Sequence, residues 1–383
     1  MRKSLIATLV LGAIATPAFA AGTVTLYGQV NVTGVYSDNG SHDRIGGVDQ
    51  RVKQFKIDQG NTPSRIGFKG DEDLGGGLQA WWQLETAVGT DDAATNNFAN
   101  REGWVGLQGG FGKIGLGRGT TPYADVANVF DSTVDGANNL AIYRFEQHNE
   151  KAFGRIINNR FSNAVRYDSP TAHGFSGSVM VGNDENKAPG NKGGSKISLA
   201  GRYEAGPMYF AAAFNKEKNL PVMQGRDSIA APGRDSTAVL LAGVYTIDAF
   251  KFGLGFQHAK LQYMAQGDIV KRNSIVTTAA YTMGDTTLKA GVIVGQNPKL
   301  NGATVKDASF TRFSIGAKHQ LSKRTVVFAE LSGDRLKGRV LSDDNISRRV
   351  SPAPMPAADI VADDGTVKAP SPRFLSIGLM HAF

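Results

Sequence analysis

Apolar and polar residues alternate one by one along most of this chain, most cleanly in its last ten residues. There Leu375, Ile377, Leu379, His381 and Phe383 fall on one side of an extended strand, and Phe374, Ser376, Gly378, Met380 and Ala382 on the other. Near the start, Val24, Leu26, Val30 and Val32 oppose Thr25, Tyr27, Gln29, Asn31 and Thr33 in the same way. In the middle, Phe250, Phe252, Leu254 and Phe256 oppose Lys251, Gly253, Gly255 and Gln257. Sixteen such segments, each bounded by turn chemistry, are predicted as strands: 23–36, 64–70, 78–89, 101–108, 112–118, 160–168, 175–182, 196–204, 208–215, 237–246, 250–261, 273–283, 286–295, 310–320, 325–333 and 373–383.

The connections alternate in length. Those after even-numbered strands are short, as in Gly109-Gly110-Phe111, Ala205-Gly206-Pro207 and Gly284-Asp285, whereas most after odd-numbered strands are long and polar. The longest are 119–159, with 41 residues, and 334–372, with 39. Tight turns at one end and long loops at the other are the pattern of a membrane barrel, which alone among strand architectures satisfies every backbone group in lipid. A soluble sandwich has no reason to keep its long loops at one end. The expected fold is therefore all-β: a 16-stranded antiparallel transmembrane β-barrel with a long third outer loop, 119–159. An even strand count leaves both termini on the periplasmic side.

Composition narrows the setting. Met1-Arg2-Lys3, the apolar run from Leu5 to Ala15 and Ala18-Phe19-Ala20 have the layout of a secretory signal, predicted to span 1–20 and to leave 21–383 as one exported domain. Without Arg2 and Lys3 the chain carries 40 basic and 34 acidic residues, a mild excess interspersed along its length, and no basic arm for nucleic acid is visible. Cysteine is absent, so no disulfide holds the fold. No later run reaches the roughly 18 to 20 apolar residues of a membrane helix. The 47 glycines have no collagen period and sit singly or in pairs within alternating segments, as in crowded, curved strands.

Several motifs in strand order carry a resemblance. Ser64-Arg65-Ile66-Gly67-Phe68-Lys69-Gly70-Asp71-Glu72-Asp73-Leu74-Gly75-Gly76-Gly77-Leu78-Gln79-Ala80, Val24-Thr25-Leu26-Tyr27-Gly28, Trp104-Val105-Gly106-Leu107, the run Phe111 to Arg118, Asn163-Ala164-Val165-Arg166-Tyr167 and the terminal Phe383 resemble the trimeric general porins of β-proteobacteria, of the neisserial and Burkholderia type. The outer segments 50–61, 221–234 and 351–372 do not share it. The resemblance implies a homotrimer in the outer membrane of a Gram-negative bacterium. Its water-filled channels would pass ions and small hydrophilic solutes by passive diffusion, with the third outer loop, 119–159, folded into each lumen and narrowing it. It also implies that the terminal Phe383 is read by the outer-membrane insertion machinery. Gly28, Gly34, Gly106 and Ser376, read as small non-lumen positions, are expected to let barrels pack closely.

Strand parity places charges in the lumen. Arg65 and Lys69 face inward if Ile66 and Phe68 meet lipid, and Gln79, Trp81, Gln83 and Glu85 face inward opposite Leu78, Ala80, Trp82 and Leu84. Trp104 is expected outward if Arg101 faces inward, and Phe161, Val165 and Tyr167 outward if Arg160 and Arg166 face inward. A lipid-facing arginine near the midplane costs about 2 to 4 kcal/mol. Matched to the family, Arg65, Arg101 and Arg160 take the basic wall of the constriction, Glu85 the wall carboxylate and Asp131 a carboxylate on the inserted loop. Lys69, Arg166, Asp125 and Asp135 are expected as further lumen charges, with Asp125 and Asp135 the alternatives to Asp131 as the loop carboxylate. Arginine keeps its charge at working pH and its planar fork hands an anion from donor to donor, so a modest anion preference is expected.

Other classes fit less well. The six histidines offer no Ser-His spacing for a hydrolase, no Cys/His metal spacing appears and no cofactor is expected. A substrate-specific channel for phosphate or a dicarboxylate and a surface adhesin anchored by a barrel are the alternatives. A mere anchor needs no convergent arginines.

Overall fold

The computed structural model describes residues 22–40, 44–45, 48–49, 51–60, 62–91, 98–130, 160–183, 193–224, 227–263, 269–336 and 371–383. The expected signal at 1–20 lies outside them, as do 131–159 and 337–370 of the two longest connections. The barrel strands are β1 (Thr23–Asp38), β2 in two pieces (Lys53–Asp58 and Arg65–Gly75), β3 (Leu78–Ala87), β4 (Glu102–Gly109), β5 (Gly112–Thr120), β6 (Arg160–Asp168), β7 (Phe175–Asn183) and β8 (Ser195–Ala205). They continue as β9 (Met208–Gln224), β10 (Asp227–Ile247), β11 (Phe250–Tyr263), β12 (Ile269–Met283), β13 (Thr286–Gly295), β14 (Phe310–Gln320), β15 (Thr325–Leu336) and β16 (Arg373–Ala382). Each pairs antiparallel with its neighbours. β1 closes the ring by pairing with β16 from Gln29↔Ala382 to Asp38↔Arg373, so no edge is left.

Alternation decides which face meets lipid. Val24, Leu26, Val30 and Val32 of β1, Phe252, Leu254 and Phe256 of β11, and Leu375, Ile377 and Leu379 of β16 are exposed, whereas Asn31, Thr33, Gln257 and Ser376 between them are buried inside. Polar-in and apolar-out is the inverse of a soluble core. The tight turns follow their residues: Gly76 and Gly77, at φ 63° and 79°, join β2 to β3 in a conformation that side chains disfavour.

Several expectations need correction. β2 carries an additional upstream piece, Lys53–Asp58, which pairs with Thr33–Asp38 where a loop was expected. β9 and β10 remain paired as far as Gln224 and Asp227, well beyond the expected ends at 215 and 237. Trp104 and Phe161 face inward, 7% and 0% exposed, and pack with Trp81, Ala164 and Met180. Trp104 differs because Arg101 lies in the bend before β4 begins and does not set the strand's parity. Phe161 differs because the β5–β6 ladder shifts register between Gly117 and Gly119, with Asn163 at φ 51°, and such a bulge reverses the alternation. Of the four small positions, Ser376 is buried on the inward face, and a Cβ on Gly106 would point at inward-facing Trp81. Gly28 lies beneath the Phe383 ring and Gly34 beside that of Phe55, so these glycines make no bare stripe for a neighbouring barrel.

After β5 the chain turns across the barrel interior. Helix α1 (Pro122–Ala127) and the 3-10 turn Asn128–Phe130 pack on the inner faces of β8 to β12. Thr121 caps α1 by accepting a hydrogen bond from the Ala124 N–H at 3.2 Å, and Pro122 supplies a preset φ at the first turn. Tyr123, Ala124, Val126, Ala127 and Phe130 are fully buried among Ala200, Ala211, Ala213, Ala238 and Leu240, forming the apolar core inside the barrel.

Candidate functional site: the charged wall facing α1

Glu85, on the inward parity of β3, is the centre of one group. It meets Arg101 Nε at 2.6 Å and Arg65 Nε at 3.6 Å, and accepts a hydrogen bond from the Tyr27 hydroxyl at 3.1 Å. Gln83 donates to the Tyr27 oxygen at 2.7 Å, and Lys69 lies over the Tyr27 ring at 5.5 Å. The strands bring these together because Arg65, Gly67 and Lys69 are consecutive inward positions of β2. Gly67 leaves space for the Tyr27 ring, since a Cβ there would lie 2.3 Å from its Cζ.

Glu102 is the centre of a second group. Its carboxylate accepts hydrogen bonds from the Thr120 hydroxyl at 2.7 Å and the Trp104 indole at 2.8 Å, and lies 3.5 Å from Arg160 Nε. A third group joins the wall to α1. Arg166 Nη2 donates to Asp125 at 2.8 Å and to Asp168 at 2.8 Å, while its Nη1 donates to the Thr120 carbonyl at 2.7 Å. Arg202 lies 3.7 Å from the same Asp125 oxygen and donates to Ser178 Oγ at 2.8 Å. Burial pushes the Asp125 carboxyl up from its ordinary value, with Arg166 and Arg202 pulling it down.

Sequence reasoning placed Arg65, Lys69, Glu85, Arg101, Arg160, Arg166 and Asp125 among the lumen charges. The structure brings Arg65, Arg101 and Glu85 into one contact network, and Arg166 and Asp125 into another. Asp131 and Asp135 lie outside the described residues. Glu102, Arg202 and Asp168 join these groups without having been expected among the site residues, although Asp168 shares the inward parity of Arg166. Glu102 follows Arg101 directly, and alternation cannot put both neighbours inside unless the strand's starting point is known. Arg202 shares its strand face with Ala200 and Glu204, so its signal was present in β8 but its partner lies on a distant segment. Across these three groups five guanidinium groups share four carboxylates, and Lys113, at 3.6 Å over the Trp81 ring, lies on the same inward face as Lys69. Within the three groups the guanidinium groups exceed the carboxylates by one, so the charges are mostly compensated. Such an arrangement biases passing ions without holding one tightly.

The comparisons agree with this architecture. Over 334 residues the chain is 30% identical to the major outer membrane protein P.IB of Neisseria meningitidis serogroup A, covering 85% of this chain and 91% of that one. Among solved structures it is similar to the anion-selective porin from Comamonas acidovorans, with a TM-score of 0.72 at 24% identity over 94% of this chain and 100% of the other. It is also similar to OmpT of Vibrio cholerae in its trimer form, with a TM-score of 0.67 at 18% identity over 95% of this chain and 100% of that one. The Gram-negative porin family model matches residues 7–339. A closed lipid-facing barrel with a charged interior and this match establish that the chain belongs to the Gram-negative porin family, an outer-membrane channel protein.

Proposed function

We propose that the channel is a general diffusion pore with a modest preference for anions, set where the β2–β8 wall faces α1. The observation that carries this reading is the surplus of one guanidinium over the carboxylates of the three groups, with Lys69 and Lys113 adding the same sign and Asp71, two positions beyond Lys69, offsetting one of them. Two unit charges at ~4 Å interact by about 1 kcal/mol in water and more beside a protein wall, enough for a severalfold bias. In this reading 119–159 forms the constriction, with Asp131 and Asp135 as further acids on it. A substrate-specific channel would need a stronger uncompensated site than Glu85, Glu102 and Asp125 leave.

The same reading takes 1–20 as an export signal, Phe383 as a handle for the insertion machinery, and three copies as the assembled state, by analogy with the trimer form described for OmpT. It makes the chain a channel rather than an enzyme. The reversal potential of the purified pore in a KCl gradient tests the selectivity. An anion-sign potential that moves toward cations in Arg101→Ser supports it, and a cation-sign potential unmoved by that change overturns it.

A further inference from the structure

The two inward glycines of β11, Gly253 and Gly255, are unexplained by channel chemistry. They leave a slot in the barrel wall, and Phe130 fills it. A Cβ on Gly255 would lie 2.6 Å from Phe130 Cζ, and one on Gly253 2.5 Å from Thr278 Oγ1 and 3.3 Å from Phe130 Cδ1, while the ring itself is fully buried. Two residues along the same inward face, Gln257 Nε2 donates to the Tyr123 hydroxyl at 2.6 Å. From β8, Ser198 Oγ accepts the Tyr123 N–H at 3.0 Å. Tyr123, Ser198 and Gln257 are themselves almost wholly buried, at 0%, 0% and 1% exposure.

The geometry points to a clamp: Phe130 in the Gly253/Gly255 slot and Tyr123 between Ser198 and Gln257 hold α1 in a single position inside the channel. These are positioning residues. They touch no permeating ion, but they set where Asp125 stands against Arg166 and Arg202, and so the charge and width that an ion meets. Buried packing of this kind has discrete arrangements rather than a continuous range, so a loosened α1 moves between positions. Such exchange falls in the microsecond-to-millisecond range that a single-channel current resolves. This inference rests on the channel reading above and adds to it the parts of the molecule that keep the open state steady.

Single-channel recording of the full exported chain, refolded or extracted in detergent, tests it. Phe130→Ala and Gly255→Val are each expected to raise brief closures and open-channel noise severalfold, with the barrel's heat stability retained. Tyr123→Phe, which deletes the Gln257 bond but keeps the ring, gives a smaller increase and serves if Gly255→Val does not assemble. Gly201→Ala, where an added Cβ meets nothing within 4 Å, stays as quiet as the parent. Adding Gly255→Ala to Phe130→Ala produces less further noise than Gly255→Ala does alone, because the ring that its Cβ meets first is gone and only Val276 Cγ1, at 2.8 Å, remains. Quiet currents in both Phe130→Ala and Tyr123→Phe, or additive effects of Phe130→Ala and Gly255→Ala, overturn the clamp. A parent chain that passes no ions overturns the channel reading itself.

Discussion

Gly28 and Phe383 exchange both main-chain hydrogen bonds at 3.1 Å, and the Phe383 ring occupies the space beside Gly28, where an added Cβ would lie 2.5 Å from its Cζ. The last residue thus seals the seam between β1 and β16. Deleting Phe383 should lower the amount of protein assembled in the outer membrane far more than it alters the conductance of the pores that do form. Quantifying heat-modifiable protein in membrane fractions beside single-channel conductance checks this, and wild-type assembly of the truncated chain would sink it.

At Glu85, two arginines share one carboxylate. Arg101→Ser should shift the reversal potential toward cations, and Glu85→Gln should shift it toward anions, each severalfold in permeability ratio at low salt. Lys216→Ser is the control, since Lys216 lies between the buried Asn215 and Glu217 and points away from the lumen.

The shifts should fade with salt. The screening length falls from about 8 Å at 0.15 M to about 3 Å at 1 M, so charges that bias ions across the lumen at low salt act only at contact at high salt. Permeability ratios of wild type and Arg101→Ser that stay equally far apart at 1 M would assign the effect to pore shape instead.

Asp125 outside the spanning strands gives a pH handle. Its carboxyl is raised, chiefly by burial, so as pH falls it takes up a proton before an ordinary carboxylate does. Arg166 and Arg202 then lose part of their compensation and anion preference should grow. In Asp125→Asn the preference should start high and lack that early increase, which a reversal-potential titration would show.

The opposite wall contains a structural pair. Arg312 and Asp334 meet through two hydrogen bonds at 2.6 and 2.8 Å, each side chain 2% exposed. Arg312→Met should cost about 3 to 5 kcal/mol by leaving Asp334 buried without that partner, whereas Arg312→Met with Asp334→Leu should recover much of the loss. Thermal unfolding in detergent reads both.

Alternation by itself determined the class of fold, the strand count, the lipid face and the inward placement of Arg65, Lys69, Glu85 and Arg166. It could do so because a strand's side-chain period of two is a local property of the backbone. The tertiary structure decided the rest. Trp104 and Phe161 turned inward through a strand start and a bulge, neither of which a run of alternating residues announces. Arg101 shares Glu85 with Arg65, and Arg166 takes Asp125 and Asp168, because register sets which residues of separate strands and of α1 stand opposite one another. Gly253 and Gly255 read as ordinary strand glycines until Phe130, more than a hundred positions earlier, filled the space that their missing side chains leave. Such partnerships depend on how distant segments meet, and a period of two along one segment carries no record of that.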